Sequence, residues 1–171
     1  MRVIEAPEEY IENDGDIKVF LAGGISNCRD WQREVIGALR TIDKVDNLDR
    51  LVVFNPRREV FDINCSDEEV KSQIEWEFNM LECSDIFSMY FCNSESVQPI
   101  CMYELGRNLY KIFNEYEFFK NHLVISVEDG YKREFDVRVQ SELALGEDIV
   151  NLSSDTLSHA KFIYDKYKCL M

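Results

Sequence analysis

The 171-residue sequence has no long apolar run, no Cys-x-x-Cys pair and almost no histidine. No stretch of about 18 apolar residues is present that could cross a membrane, and the acidic N-terminal sequence MRVIEAPEEYIENDGD does not resemble a signal peptide. We therefore expect a cytoplasmic protein with no membrane partner. The six cysteines are expected to be free, mostly buried thiols. With only His122 and His159 present, we predict no metal site.

Basic residues are also scarce. The chain has 19 Lys and Arg against 33 Asp and Glu, which gives a formal net charge of −14. The basic residues form no run, so polymeric nucleic acid is not an expected partner. A small anion held by two or three arginines remains compatible with this composition.

Apolar runs and helical patterns alternate five times after residue 15. Apolar runs that end in Gly, Pro or polar residues predict strands at 17–23, 50–56, 85–91, 122–128 and 148–153. Amphipathic segments predict helices at 28–42, 66–84, 99–113, 133–145 and 153–170. We expect an α/β, flavodoxin-like or Rossmann-like three-layer sandwich: a five-stranded parallel sheet of order 2-1-3-4-5 with helices on both faces. Residues 1–15 are a lead-in or an added edge element, and residues 16–171 are predicted to form one domain.

Ligands of such sheets bind beyond the carboxyl ends of the strands, near the switch point between strands 1 and 3. Three unusual loops meet there: AGGISNCRDW, NPRREVFD and CNSESVQPICMYELGR. The glycine turn of the first loop runs into a helix N-terminus, so it is either an anion site or only a tight turn. The adjacent Arg57 and Arg58 either clamp a phosphate or carboxylate or are solvated surface charges.

Two carboxylates fall on apolar helix faces. Glu104 is flanked by apolar residues in PICMYELGR, and Glu77 intrudes on the apolar face of the helix at 66–84. A carboxylate in such a place is unfavourable unless it is paired or used. Glu104 either pairs with Arg107, three residues on, or takes part in chemistry. Because no Ser/His/Asp arrangement is evident, that chemistry would be nucleophilic or acid/base catalysis by carboxylates.

Four motifs together resemble the nucleoside 2-deoxyribosyltransferase-like proteins, a superfamily that also contains deoxynucleoside 5′-monophosphate N-glycosidases. They are VFLAGGISN…DWQ, VFNPRR, QIEWEFNMLECSDIFSMYF and QPICMYELGR, and the resemblance runs from about residue 17 to residue 145. It implies that Glu104, the Glu of an x-E-L-G motif, attacks the anomeric carbon of a nucleoside and forms a glycosyl–enzyme ester. It also implies that Glu77, with Glu75 as the alternative, holds the departing base.

The resemblance implies a nucleoside or nucleotide as substrate and requires no cofactor or metal. Gln98 stands where the best-known transferases have an Asp, so base preference and the choice between water and a second base stay open. One alternative is that Arg29, Ser26, Arg57 and Arg58 favour a 5′-phosphate, as in the nucleotide-hydrolase branch. A nucleotide-binding module without chemistry is a further alternative. Trp76 and Tyr103 either stack on a planar ligand or belong to the core. The substrate-binding candidates are Gly23, Gly24, Ser26, Asn27, Arg29, Asn55, Arg57, Arg58, Glu75, Trp76, Asp85, Gln98 and Tyr103.

Aromatic residues cluster in and after the predicted helix that carries Glu104. This is more aromatic surface than one end of a small monomer usually exposes, and the related enzymes are oligomers. We therefore expect a homodimer or a higher homo-oligomer; the alternative is a satellite core formed with Phe162, Tyr164 and Tyr167 of the last helix. The residues of the aromatic cluster are Tyr110, Phe113, Tyr116, Phe118 and Phe119.

Overall fold

The computed structural model describes residues 1–58, 66–115 and 122–171, with residues 112–115 described by their backbone alone. Within these ranges the chain forms six strands: β1 Arg2–Glu5, β2 Ile17–Gly23, β3 Leu51–Asn55, β4 Ile86–Phe91, β5 Leu123–Val127 and β6 Val150–Asn151. The helices are α1 Trp31–Asp46, α2 Asp67–Glu82, α3 Pro99–Glu115, α4 Glu134–Leu145 and α5 Thr156–Leu170. No helix in these ranges is long and apolar enough to cross a membrane.

The strands form one parallel sheet of order β1-β3-β2-β4-β5-β6. The predicted α/β three-layer class is confirmed, and the predicted order 2-1-3-4-5 corresponds to β3-β2-β4-β5-β6. The predicted number of five strands was wrong, because β1 adds a sixth strand at the edge. It pairs with β3 from Arg2 opposite Val52 to Glu5 opposite Asn55. Four residues are too short to show a clear sequence period, so only the pairing identifies this strand.

Helices cover both faces of the sheet because side chains alternate along each strand. In β2, Val19 and Leu21 pack into the core beneath α1 and α5. Phe20 and Ala22 pack into the other core, beneath α2, α3 and α4. The helices that carry Glu77 and Glu104 therefore lie on the same face of the sheet.

The core beneath α1 and α5 contains a fully buried histidine. The Nε2 atom of His159 is 2.8 Å from Ser88 Oγ, and its Nδ1 atom is 2.8 Å from Ser126 Oγ. A hydroxyl can donate or accept, so the two serines satisfy both nitrogens of a neutral imidazole. Burial lowers the pKa of His159 to about 3, because the imidazolium form would lose its water.

This histidine predicts a loss of stability in mild acid. The unfolded chain binds a proton at His159 below about pH 6.5, whereas the folded chain does so only near pH 3. The unfolded state therefore binds more protons in this window, and the free energy of unfolding falls as the pH falls. Between pH 7 and pH 5 we expect His159 to lower it by about 2 kcal/mol.

Urea unfolding of the wild type and of His159→Gln at both pH values measures how much His159 contributes to the change in the free energy of unfolding with pH. The variant should lose less stability than the wild type on acidification, by about 2 kcal/mol. The same pH dependence in both proteins would show that His159 does not stay neutral in the fold.

Candidate active site

A cavity of about 250 Å³ lies beyond the carboxyl ends of β2 and β4, at the predicted switch point. This volume is slightly below the range of about 300–1,000 Å³ that is usual for ligand pockets, which suits a small substrate. Its walls come from β2 and the loop after it, from α2, and from the start of α3. The lining residues are Phe20, Ala22, Gly23, Gly24, Ile25, Ser26, Pro56, Glu77, Ser96, Gln98, Pro99, Ile100, Cys101 and Glu104.

Glu104 enters this cavity from the second turn of α3. Burial raises its pKa to about 7; the charge of Glu77 adds to this effect, and the charge of Arg107 opposes it. The alternative interpretation of Glu104, a salt bridge with Arg107, is not what the structure shows. The Arg107 guanidinium lies 3.5 Å from Glu82 and 4.7 Å from the centre of the Phe78 ring. Within the described residues, the Glu104 carboxylate has no hydrogen bond and no ion pair.

Glu77 reaches the same cavity from α2 and is held by a hydrogen-bond chain. Its Oε1 accepts from Gln73 Nε2 at 2.6 Å, and the same Nε2 donates to the Pro56 carbonyl at 3.0 Å. Arg58 Nε donates to Gln73 Oε1. Burial raises the pKa of Glu77, while the Gln73 hydrogen bond and the Arg58 charge lower it. The sequence analysis missed Gln73; its spacing of four residues from Glu77 on one helix was the available signal.

Gln98 joins the two loops that border the cavity. Its Oε1 accepts from the Gly24 N–H at 3.1 Å, and its Nε2 donates to the Cys92 carbonyl at 2.7 Å. A Cβ atom on Gly24 would lie 2.7 Å from Gln98 Oε1 and 2.5 Å from Cys28 Sγ, so this position requires glycine. Gly23 is equally confined, since its Cβ would lie 2.4 Å from the Tyr90 carbonyl oxygen.

Arg57 holds the loop between β2 and α1. Its Nη2 lies 3.0–3.5 Å from four carbonyl oxygens of this loop. Its Nε donates to Gln32 Oε1 at 3.0 Å and lies 3.5 Å from Asp30. Arg57 is therefore bound within the protein and does not line the cavity.

Arg29, which lies in the loop between β2 and α1, is also bound within the protein. Arg29 lies 2.6 Å from Glu34 and 2.5 Å from Glu128. The N-terminus of α1 is already capped by the Asp30 carboxylate, which accepts from Arg33 N–H at 3.1 Å. These contacts fit the tight-turn interpretation of the loop better than an anion site, because a carboxylate occupies the place of the anion.

Three predicted residues lie on α2 or α3 but outside the cavity lining. Trp76 is a core residue, as the alternative had it: it packs near Phe54 and donates to the Glu8 carbonyl at 2.7 Å. Glu75 is exposed on α2, 3.5 Å from Lys71. Tyr103 has 71% of its surface exposed.

Three further predicted residues also lie outside the lining. Asp85 is at the amino end of β4, where it accepts from Lys18 N–H at 2.8 Å; this is the edge of the sheet opposite to the cavity. Asn55, at the end of β3, accepts from Arg57 N–H at 3.1 Å. Asn27 is exposed, with φ 58° in the turn before α1.

Of the five residues in the predicted aromatic cluster, Tyr110 is the one whose side chain the structure describes, and it is exposed on α3. The Phe113 side chain and the residues Tyr116, Phe118 and Phe119 lie outside the described residues. The last-helix residues of the alternative, Phe162, Tyr164 and Tyr167, belong to the core beneath α1 and α5, on the face of the sheet opposite to α3. Homo-oligomerisation stays a prediction.

The shared cavity predicts that Glu77 controls the ionisation of Glu104. Glu77→Gln removes a charge that raises the Glu104 pKa, so that pKa should fall below its value of about 7. A ¹³C NMR titration of labelled glutamate side chains measures it, with the Glu104 signal assigned from Glu104→Gln. The matched control is Glu75→Gln, an exposed position on the same helix, which should leave the Glu104 pKa unchanged. An unaltered pKa in Glu77→Gln would show that the two carboxylates do not interact.

Comparison with known protein families identifies a relationship over most of the sheet and its first helices. The sequence model of the family described as "Nucleoside 2-deoxyribosyltransferase like" matches residues 16–111. The match covers more than half of the chain and contains all the cavity-lining residues, although it ends before residue 145, to which the resemblance had extended. No curated protein matches the chain. The suspected relationship is confirmed: the chain belongs to the nucleoside 2-deoxyribosyltransferase-like family.

Proposed function

We propose that this protein cleaves the N-glycosidic bond of a 2′-deoxynucleoside and transfers the sugar to an acceptor, with Glu104 as the nucleophile. The observation that carries this proposal is the Glu104 carboxylate itself, which lines a small cavity opposite a second carboxylate and has no partner among the described residues. Burying an unpaired carboxylate is unfavourable for stability. Its presence is explained if the substrate supplies the partner that the protein does not.

The reaction proposed for this pair follows the logic of a retaining glycosidase. A Glu104 oxygen bonds to C1′ while the C1′–N bond breaks, and the electron pair of that bond leaves with the base. Glu77 donates a proton to the departing base nitrogen. In the second step an acceptor base or water attacks C1′, the ester bond to Glu104 breaks, and the acceptor gives its proton to Glu77.

This chemistry requires one proton on the pair, with the charge on Glu104 and the proton on Glu77. Burial raises both pKa values, and that of Glu104 reaches about 7, so a singly protonated pair is accessible near neutral pH. Gln73 and Arg58 favour the ionised form of Glu77, so the bound substrate must shift this proton from Glu104 to Glu77. Protonation of Glu77 and ionisation of Glu104 favour each other. A protonated Glu77 no longer repels the Glu104 carboxylate, and the developing positive charge on the sugar stabilises that carboxylate further.

We further propose that the substrate is an unphosphorylated nucleoside. The three arginines predicted to hold a phosphate all have partners within the protein: Arg29 two carboxylates, Arg57 loop carbonyls and Asp30, and Arg58 the Gln73 side chain. Residues 59–65 (EVFDINC), which follow Arg58 in the sequence, include two acidic residues and no basic residue. A 5′-phosphate would therefore enter near the carboxylates of Glu77 and Glu104, and two of the three arginines are already paired with carboxylates of the described residues.

The test is a panel of 2′-deoxynucleosides, each incubated with a second base and followed by chromatography. We expect the new nucleoside to form and Glu104→Gln to lower turnover by about 10³-fold or more, as for loss of a covalent nucleophile. The matched control Glu75→Gln removes an exposed carboxylate of α2 and should keep wild-type turnover. Release of free sugar without exchange would make water the acceptor. A nucleoside that raises the melting temperature yet stays intact would contradict catalysis.

The same assay compares each nucleoside with its 5′-monophosphate. We expect kcat/KM to be at least about 10-fold higher for the nucleoside, since the phosphate of the monophosphate would meet the two carboxylates of the cavity. Arg57→Ala, which loosens a loop but removes no phosphate ligand in this account, should lower kcat/KM for both compounds by a similar factor. Equal or faster cleavage of the monophosphate, lost selectively in Arg57→Ala, would contradict the proposed substrate.

A further inference from the structure

We propose that Gln73 is a positioning residue: it fixes the carboxylate of Glu77 so that one chosen oxygen of Glu77 is presented to the leaving base. This inference deepens the proposed function and rests on it. Gln73 does not line the cavity. It acts through its contacts with three groups around the cavity wall: the Glu77 carboxylate, the Pro56 carbonyl and the Arg58 guanidinium.

The orientation of the Gln73 amide is determined by its neighbours. Arg58 Nε–H can only donate, so it must meet the amide oxygen. The amide NH₂ group is thereby turned toward two acceptors, the Pro56 carbonyl at 3.0 Å and Glu77 Oε1 at 2.6 Å. A flipped amide would place its oxygen against both acceptors and its NH₂ against the Arg58 donor, which loses three hydrogen bonds at once.

This arrangement distinguishes the two oxygens of Glu77. The terminal torsion of a free glutamate is broad, so its carboxylate has no preferred rotation. The short hydrogen bond from Gln73 occupies Oε1, whereas Oε2 has no partner among the described residues. A proton carried by Glu77 therefore belongs on Oε2, and this is the oxygen that serves the base.

The charges acting on Glu77 come from two elements. Arg58, on the loop after β3, lies at the far end of the Gln73 amide and favours the carboxylate form of Glu77. Glu104, on α3, interacts with Glu77 across the cavity. Gln73 is neutral, so replacing it by a neutral residue changes orientation and hydrogen bonding without adding a charge to the site.

Two variants of Gln73 distinguish its hydrogen bond to Glu77 from its hydrogen bond with Arg58. Gln73→Met keeps the length of the side chain and removes both its donor and its acceptor. Gln73→Glu keeps an acceptor for Arg58 but replaces the donor to Glu77 by a second carboxylate, whose negative charge adds to the loss of the hydrogen bond. The matched control is Gln140→Met, the same replacement at an exposed position of α4. Thermal melts of all three variants show whether each is folded.

We expect Gln73→Met and Gln73→Glu to lower kcat about 10- to 100-fold with little change in KM, the effect of a misplaced catalytic group. Gln140→Met should match the wild type. In a ¹³C NMR titration, Gln73→Met should also raise the pKa of Glu77, because the hydrogen bond that favours the ionised form is gone. If Gln73 only stabilised the fold, Gln73→Met would lower the melting temperature but leave the pKa of Glu77 unchanged.

Three results would overturn the inference: wild-type kcat in Gln73→Met, wild-type kcat in Gln73→Glu, or an unchanged Glu77 pKa in Gln73→Met. The second would show that Gln73 acts on Arg58 and not on Glu77. Failure of the proposed function is recognised separately, since no nucleoside would then be cleaved by the wild type. In that case the NMR titration still shows whether the Gln73 hydrogen bond lowers the pKa of Glu77.

Discussion

The confinement of two carboxylates in one small cavity is the constraint on which the site depends. Each carboxylate is destabilised by burial, and each makes the ionisation of the other less favourable. The protein treats the two differently: Glu77 receives a hydrogen bond from Gln73, with Arg58 behind it, whereas Glu104 receives none from the described residues. We propose that the two carboxylates divide the chemistry: the supported one is held in position for proton transfer, and the unsupported one bonds to an electron-poor carbon.

The parallel sheet brings this pair together, and paired side chains keep the surrounding loops in place. Glu77 and Glu104 come from helices on the same face of the sheet, one before and one after β4. Gln98 ties the two loops that border the cavity to each other, and Arg57 holds the carbonyl groups of the loop after β2. An arginine used in this way is not available to a ligand. The positive charge near the site therefore stabilises the loops, which is consistent with a neutral substrate.

The sequence predicted the parts of this structure that follow from local patterns. Alternating apolar runs and helical periods were sufficient for the sheet order, and a carboxylate on an apolar helix face was sufficient to single out Glu104 and Glu77. The missing parts depend on contacts between distant segments. The partners of Arg29 and Arg57, such as Glu128 and Gln32, lie on elements far from them in sequence. Gln73 looks like an ordinary polar residue of α2 until Pro56 and Arg58 are seen beside it.

The proposed covalent bond between Glu104 and the sugar can be detected by intact-protein mass spectrometry after acid quenching during turnover. A slowly released 2′-fluoro-2′-deoxynucleoside would allow the ester to accumulate. We expect a mass increase equal to one sugar residue, located by digestion to the peptide that contains Glu104, and no increase in Glu104→Gln. Turnover without any adduct, or an adduct located on Glu77, would contradict this proposal.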